Sequence, residues 1–190
     1  DPRTPGFIYR ETPLRRAYLA VARRCGAPSG RNPILDDKLI ANSEWSATEL
    51  RRYYPLQSLP VIYPPVWTTF PPIPWAQKEN AFVMIGRIAA EKRIEKVIRV
   101  LGAVRSRGHR LTLHLCGAIP SDAYGRQIAN LCAVNREWVF SHGYVTGALK
   151  ADLLARCRYG IQMRAREPFG ISVAEMVKAG AIVFAPDGGG

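Results

Sequence analysis

The chain has 190 residues, 47% of them apolar, and a formal net charge of +12. Such a length supports one buried core, or one and a part. No run reaches the ~20 apolar residues of a membrane span or opens as a secretory leader, so a soluble chain is expected. The positive balance asks for an acidic partner: nucleic acid, an anionic membrane surface or lipid-linked phosphate, or a nucleotide diphosphate.

In chain order, an arginine-rich apolar pattern from Leu14 to Cys25 predicts a helix, and a Gly/Pro/Ser loop follows through Pro33. Between residues 55 and 79, Pro60, Pro64, Pro65, Pro71, Pro72 and Pro74 rule out a helix or a central strand and predict an extended linker. Beyond it, strands are predicted near 81–86, 111–116, 138–141, 159–163 and 181–185. They alternate with helices over 91–106, 121–134, 147–156 and 171–179. Such alternation predicts an α/β fold, a Rossmann-like parallel sheet with helices on both faces. Ligands in such sheets bind beyond the carboxyl ends of the strands, where Arg87 and Glu167 both fall. Cys25, Cys116, Cys132 and Cys157 show no C-x-x-C spacing and read as reduced core thiols, which favours a cytosolic setting over a zinc site.

Polar chemistry is concentrated in Arg166-Glu167-Pro168-Phe169-Gly170-Ile171-Ser172-Val173-Ala174-Glu175. Pro168 and Gly170 interrupt regular structure, and a short helix from Ile171 to Ala179 is stopped by Gly180. The N–H groups of Gly170, Ile171 and Ser172 then point ahead of the helix and form an anion site. A glycosidase pair needs its carboxyls roughly 5 to 9.5 Å apart. Eight helical steps separate Glu167 and Glu175 by about 12 Å, so they touch different parts of one extended ligand. Glu175 is placed to accept from the vicinal diol of a ribose, and Glu167 to face the other end.

Upstream, Phe82-Val83-Met84-Ile85-Gly86-Arg87-Ile88-Ala89-Ala90-Glu91-Lys92 is an apolar strand, a glycine, then an Arg and a Lys five apart. A guanidinium and an ammonium there would converge on a diphosphate and neutralise charge growing on a leaving group. A lysine beside a positive helix N-terminus is otherwise disfavoured.

These elements resemble a known family: the retaining, two-domain GT-B glycosyltransferases with the Glu-x7-Glu motif, glycosyltransferase family four. The segment 166–175 resembles the motif itself, 82–92 the phosphate-binding Gly-Arg-x4-Lys turn, and Phe140-Ser141-His142-Gly143-Tyr144-Val145 the strand-Gly-aromatic-Val element between them. Leu39-Ile40-Ala41-Asn42-Ser43-Glu44-Trp45-Ser46 is similar to the close of the acceptor domain, and Val61 to Val66 to the interdomain crossover. The resemblance implies an N-terminal acceptor-domain remnant over 1–60, a linker over 61–79 and a nucleotide-sugar-binding domain over 80–190, truncated at its end. The chain is therefore read as a fragment, inactive alone.

The resemblance further implies transfer of a hexose from a nucleotide-diphosphate sugar to an acceptor hydroxyl. Arg87, Lys92 and Glu167 would be catalytic, and Arg87, Lys92, Phe169, Gly170, Ile171 and Glu175 would bind the donor. No metal or other cofactor is expected, since the positive groups replace one and no Asp-x-Asp element is present. The acceptor would be a saccharide or a lipid-linked molecule, with mannosyl transfer hinted at by Pro168-Phe169-Gly170-Ile171. The setting would be cytoplasmic, with peripheral contact at the anionic inner membrane surface through Arg15-Arg16, Arg23-Arg24 and Arg51-Arg52.

Other readings fit less well. A doubly wound oxidoreductase needs a Gly-x-Gly-x-x-Gly turn, which Gly86 to Glu91 lacks. A basic nucleic-acid-binding α/β module is the alternative that the charge supports, but it leaves both carboxylates unexplained and no recognition signature accompanies it. His142, His114 and His109 read as structural histidines, Ser172 as a helix-start hydroxyl and Gly188 to Gly190 as a frayed end or a close approach to sugar.

Overall fold

The computed structural model describes residues 39–190 apart from Pro55 and Gln57, together with Pro13. The helix expected over Leu14–Cys25, Cys25 itself and the paired arginines at 15–16 and 23–24 lie outside the described residues. The first element is helix α1, Glu44–Tyr53, begun by Ser43, whose side chain accepts from the Ser46 N–H. Just ahead of it Ala41 makes a parallel bridge to Val61. Ala41, Ala47 and Leu59 bury against one another as a small core of their own. From 62 to 74 the chain has no regular structure, as its prolines require, and a 3₁₀ turn at Trp75–Gln77 leads into the sheet.

The sheet is built from β1 (Glu79–Ile85), β2 (Thr112–Cys116), β3 (Val139–Ser141), β4 (Cys157–Ile161) and β5 (Ile182–Phe184). Between them run α2 (Ile94–Ser106), α3 (Ala123–Val134), α4 (Gly147–Arg156) and α5 (Ile171–Lys178). All pairings are parallel and the order is β3-β2-β1-β4-β5. The chain winds outward from β1 in one direction and then the other, which opens a crevice where the connections after the paired β1 and β4 leave to opposite faces.

Two cores explain why both faces are covered. Met84, Leu113 and Leu115 pack with Ile94, Val97 and Leu101 of α2 and Ile128 of α3. Ala81, Val83 and Cys157 pack on the opposite face with Leu153 and Leu154 of α4 and Met176 of α5. Alternate residues of β1 thus feed opposite cores, so the strand is apolar from Ala81 to Ile85. Cys116, Cys132 and Cys157 are free thiols. Burial pushes those of Cys116 and Cys157 up to about 12, which keeps them protonated.

Two boundaries differ from expectation for reasons visible in the backbone. The helix expected from 91 begins at Ile94, because Ala90–Lys92 is a 3₁₀ turn and Arg93 sits left-handed at φ 52°. The strand expected over 159–163 is Cys157–Ile161, since α4 passes into β4 without a loop. The short helix does end as its glycine requires: Gly180 has φ 79°, and the Ala181 N–H reaches the Met176 carbonyl at 3.0 Å.

Candidate active site

Glu175 stands on the second turn of α5 and is 8% exposed. Its Oε1 accepts from Lys150 Nζ of α4 at 2.6 Å and from Thr68 Oγ1 at 2.8 Å. Among the described residues no side chain donates to Oε2. Beside it opens a cavity of about 470 Å³, lined by Gly86 and Arg87 after β1, Gly117 after β2, Tyr144 after β3, Lys150 and Glu175. Gly117 lies so close to the turn after β1 that a Cβ there would fall 2.0 Å from the Gly86 carbonyl oxygen.

Glu167 lies in the loop after β4, with Arg166 before it left-handed at φ 59° and Gly170 left-handed at φ 80°. A non-glycine residue in that region costs energy and persists only where its surroundings dictate it. The Glu167 carboxylate is held by three neighbours. Lys92 Nζ lies 2.6 Å from Oε2, Gln162 Nε2 donates to the same oxygen at 3.1 Å, and Arg164 Nη1 is 3.5 Å from Oε1. Gln162, 3% exposed, also accepts from the Arg164 N–H through its Oε1, which fixes its amide orientation.

Gly170 caps α5 with no side chain bonded to the cap, and the first helical donors are the Val173 and Ala174 N–H groups, both to the Gly170 carbonyl. The amides of Ile171 and Ser172 therefore precede the helical ladder, and both residues line the cavity. The start of α2 differs: its Ile94 N–H donates to Tyr124 Oη at 3.0 Å, and that hydroxyl donates on to Glu95 at 2.7 Å. Of the two helix starts, α5 is the one that presents unengaged amides to the cavity.

Arg87 and Lys92 have different carboxylate partners. Arg87 lies on the rim of the cavity, its side chain 81% exposed and 3.5 Å from Glu91, whereas Lys92 turns to Glu167. The left-handed Arg93 ends the turn directly after Lys92. Phe169 packs at 6.0 Å between ring centroids against Tyr63. His114 and His142 stack and share an Nδ1···Nε2 contact of 2.8 Å, and neither lines the cavity. Among the described residues no three His, Cys, Asp or Glu side chains gather as metal ligands.

Sequence reasoning missed Lys150, Thr68 and Gln162. Lys150 carried a usable signal, since it stands in the first turn of α4 where a cation is disfavoured by the helix dipole, as with Lys92. Thr68 and Gln162 carried none.

The sheet with its flanking helices is the Rossmann-like α/β arrangement of GT-B glycosyltransferases, covering part of such a fold. The chain belongs to the family described as Glycosyl transferases group 1, whose family model matches residues 66–190. It is similar to a Candida glabrata GDP-Man:Man(3)GlcNAc(2)-PP-Dol alpha-1,2-mannosyltransferase, 27% identical over 166 residues, 77% of this chain and 32% of that protein. Sucrose-phosphate synthase from Thermosynechococcus elongatus matches with a TM-score of 0.65 at 19% identity, over 100% of this chain and 48% of that one. HepE from Anabaena, in complex with UDP and glucose, matches with a TM-score of 0.64 at 21% identity, over 92% of this chain and 48% of that one. The chain thus spans about a third of the length of the mannosyltransferase and about half of each of these two structures.

Proposed function

We propose that this chain binds the nucleoside diphosphate of a sugar donor, and that the protein to which it belongs transfers a hexose with retention of configuration to an acceptor hydroxyl. The observation that carries the reading is a pair of carboxylates, each held by its own lysine, on either side of the α5 start: Glu175 lines the cavity with the Ile171 and Ser172 amides, and Glu167 lies in the loop that leads into the helix, outside the cavity lining. Glu175 Oε2 would take the ribose diol, the Ile171 and Ser172 amides the diphosphate, and Glu167 the hydroxyls of the sugar, with Phe169 and Gly170 shaping the loop between. Lys92 would neutralise the diphosphate as it departs, and Arg87 would swing in from the rim.

The bond from the anomeric carbon to the diphosphate oxygen breaks as the acceptor oxygen bonds to the same face of that carbon. The acceptor's proton passes to the departing diphosphate, so no protein base is needed. A divalent ion is not required in this scheme, because Lys92, Arg87 and a helix N-terminus already supply the positive field. The name of the Candida glabrata relative supports a mannosyl donor and a lipid-linked acceptor, which would bring the protein to a membrane surface from the cytoplasmic side. No helix described is long and apolar enough to cross a membrane.

Titration calorimetry with UDP, GDP and ADP, with and without EDTA, tests the reading. One nucleoside diphosphate should bind in both conditions, and this chain alone, which spans about a third to a half of its relatives' length, should show no sugar transfer if the groups that bring the acceptor close lie outside it. Binding that requires a metal would refute the scheme. So would the absence of binding by all three nucleotides at millimolar concentration.

A further inference from the structure

We propose that Ser43 and Ser46, at the start of α1, are positioning residues for Glu167: their hydroxyls hold the Pro168 carbonyl and so set the carboxylate that meets the donor sugar. The proposal rests on the function proposed above. Ser43 is 1% exposed, and its Oγ donates to the Pro168 carbonyl oxygen. Ser46 Oγ donates to that same oxygen at 3.2 Å. A carbonyl oxygen has two lone pairs, so it can accept from both hydroxyls at once.

The preceding peptide of the loop is held from another side. The Glu167 carbonyl accepts from the Gly190 N–H at 2.9 Å, Glu167 bridges in parallel to Gly189, and a Cβ on Gly190 would lie 2.2 Å from Ser43 Oγ. Ser43, the Glu167-Pro168 peptide and Gly190 are therefore packed at backbone distance. The carbonyls on either side of Pro168 N are both occupied, and Arg166 and Gly170 hold the left-handed flanks. The Glu167 side chain then has little freedom left, and Lys92, Gln162 and Arg164 complete its placement.

Capping α1 alone does not require this arrangement. Ser43 caps by accepting the Ser46 N–H at 3.0 Å, whereas its own proton goes to a carbonyl more than a hundred residues away in sequence. Ser46 Oγ lies 3.2 Å from Ser43 Oγ, but the cap bond itself comes from the Ser46 backbone N–H, which Ser46→Ala keeps. Removing that hydroxyl therefore separates the contact with Pro168 from the stability of α1. Because α1 otherwise buries against its own small core, any shift of the segment 39–61 is felt at Glu167 through these two hydroxyls.

The test compares Ser46→Ala, Ser43→Ala, the double variant and Ser43→Thr with the unaltered chain. Calorimetry is run with UDP-glucose, UDP-GlcNAc and GDP-mannose, each beside its nucleoside diphosphate. In the double variant the nucleotide sugar that binds should weaken by about three- to tenfold, the range of one or two lost hydrogen bonds, with its nucleoside diphosphate little changed. Ser43→Thr should restore it, and in a Glu167→Gln background the serine effect should vanish. Ser46→Ala, with its cap intact, gives the same reading should the double variant fold poorly. Equal weakening of nucleotide sugar and nucleoside diphosphate overturns the proposal, as does an undiminished effect in Glu167→Gln. If the unaltered chain binds nucleoside diphosphates but no nucleotide sugar better than its diphosphate, the positioning role falls while the diphosphate site stands. If it binds no nucleoside diphosphate, both fall.

Discussion

Lys92 and Glu167, 75 residues apart in the chain, meet at 2.6 Å with side chains only 11% and 20% exposed. The lysine expected on the leaving group and the carboxylate expected on the sugar therefore neutralise one another. A donor must either share Lys92 with Glu167 or take it away. Loss of one partner leaves the other as a partly desolvated charge.

Lys92→Ala is accordingly expected to weaken nucleoside diphosphate binding by about 1.5 to 3 kcal/mol, the range for hydrogen bonds to charged groups. Arg87→Ala should cost less than Lys92→Ala, because its exposed side chain has to be ordered on binding. The parent nucleoside should bind all variants alike in calorimetry. Equal weakening of nucleoside and diphosphate would remove the phosphate role from Lys92.

Glu175→Gln should weaken ribonucleotide binding more than binding of the 2′-deoxy form, because a neutral amide is a poorer acceptor for both hydroxyls of a cis-diol. Lys150→Met leaves Glu175 with Thr68 as its described hydrogen-bond partner and should reduce the same discrimination in part. A mutant cycle between Glu175 and the 2′-hydroxyl measures the coupling, and a value of zero would break the assignment.

The stacked His114 and His142 predict a stability that depends on pH. Burial holds both imidazoles below the ordinary value of 6.5, with His142 and Arg156 adding to the effect at His114 and Glu79 opposing it. The folded state then binds fewer protons than the unfolded chain below about pH 6.5, so unfolding free energy rises with pH up to that point and is lost on acidification. Urea unfolding at pH 7.5 and 5.0 checks this. The double substitution His114→Gln with His142→Asn should flatten the difference, and an unchanged difference would place the titration elsewhere.

Lys78 is buried, and its Nζ donates to the Ala155 carbonyl at the end of α4 and, at 2.9 Å, to the Ala179 carbonyl at the end of α5. One ammonium thus satisfies the negative ends of two helices. Lys78→Met keeps the aliphatic stem and removes both bonds, so it should lower unfolding free energy by about 1.5 to 3 kcal/mol. Unaltered stability in denaturant would show that solvent reaches those carbonyls.

The sheet was legible because strands buried on both faces are apolar at nearly every position, as β1 is from Ala81 to Ile85. The start of α2 was not, since nothing local marks Arg93 as left-handed. Glu167, Glu175 and Lys92 could be singled out by their spacing together with the resemblance to a known family. Their partners could not: Thr68 reaches Glu175 from 107 residues away and Ser43 reaches Pro168 from 125 away, contacts that only the folded chain creates.

The near contact between Gly117 and the Gly86 carbonyl bears on how such a cleft could change its preferences. Any side chain at 117 would push the turn after β1, and with it Arg87, so that wall of the cavity has no room to diversify. The opposite wall, from Tyr144 to Gly147 and on to Lys150, carries no such restriction; Tyr144 is 82% exposed. Drift toward a different donor base in this scaffold would therefore be one-sided, with substitutions collecting between β3 and α4 while the two glycine turns stay as they are.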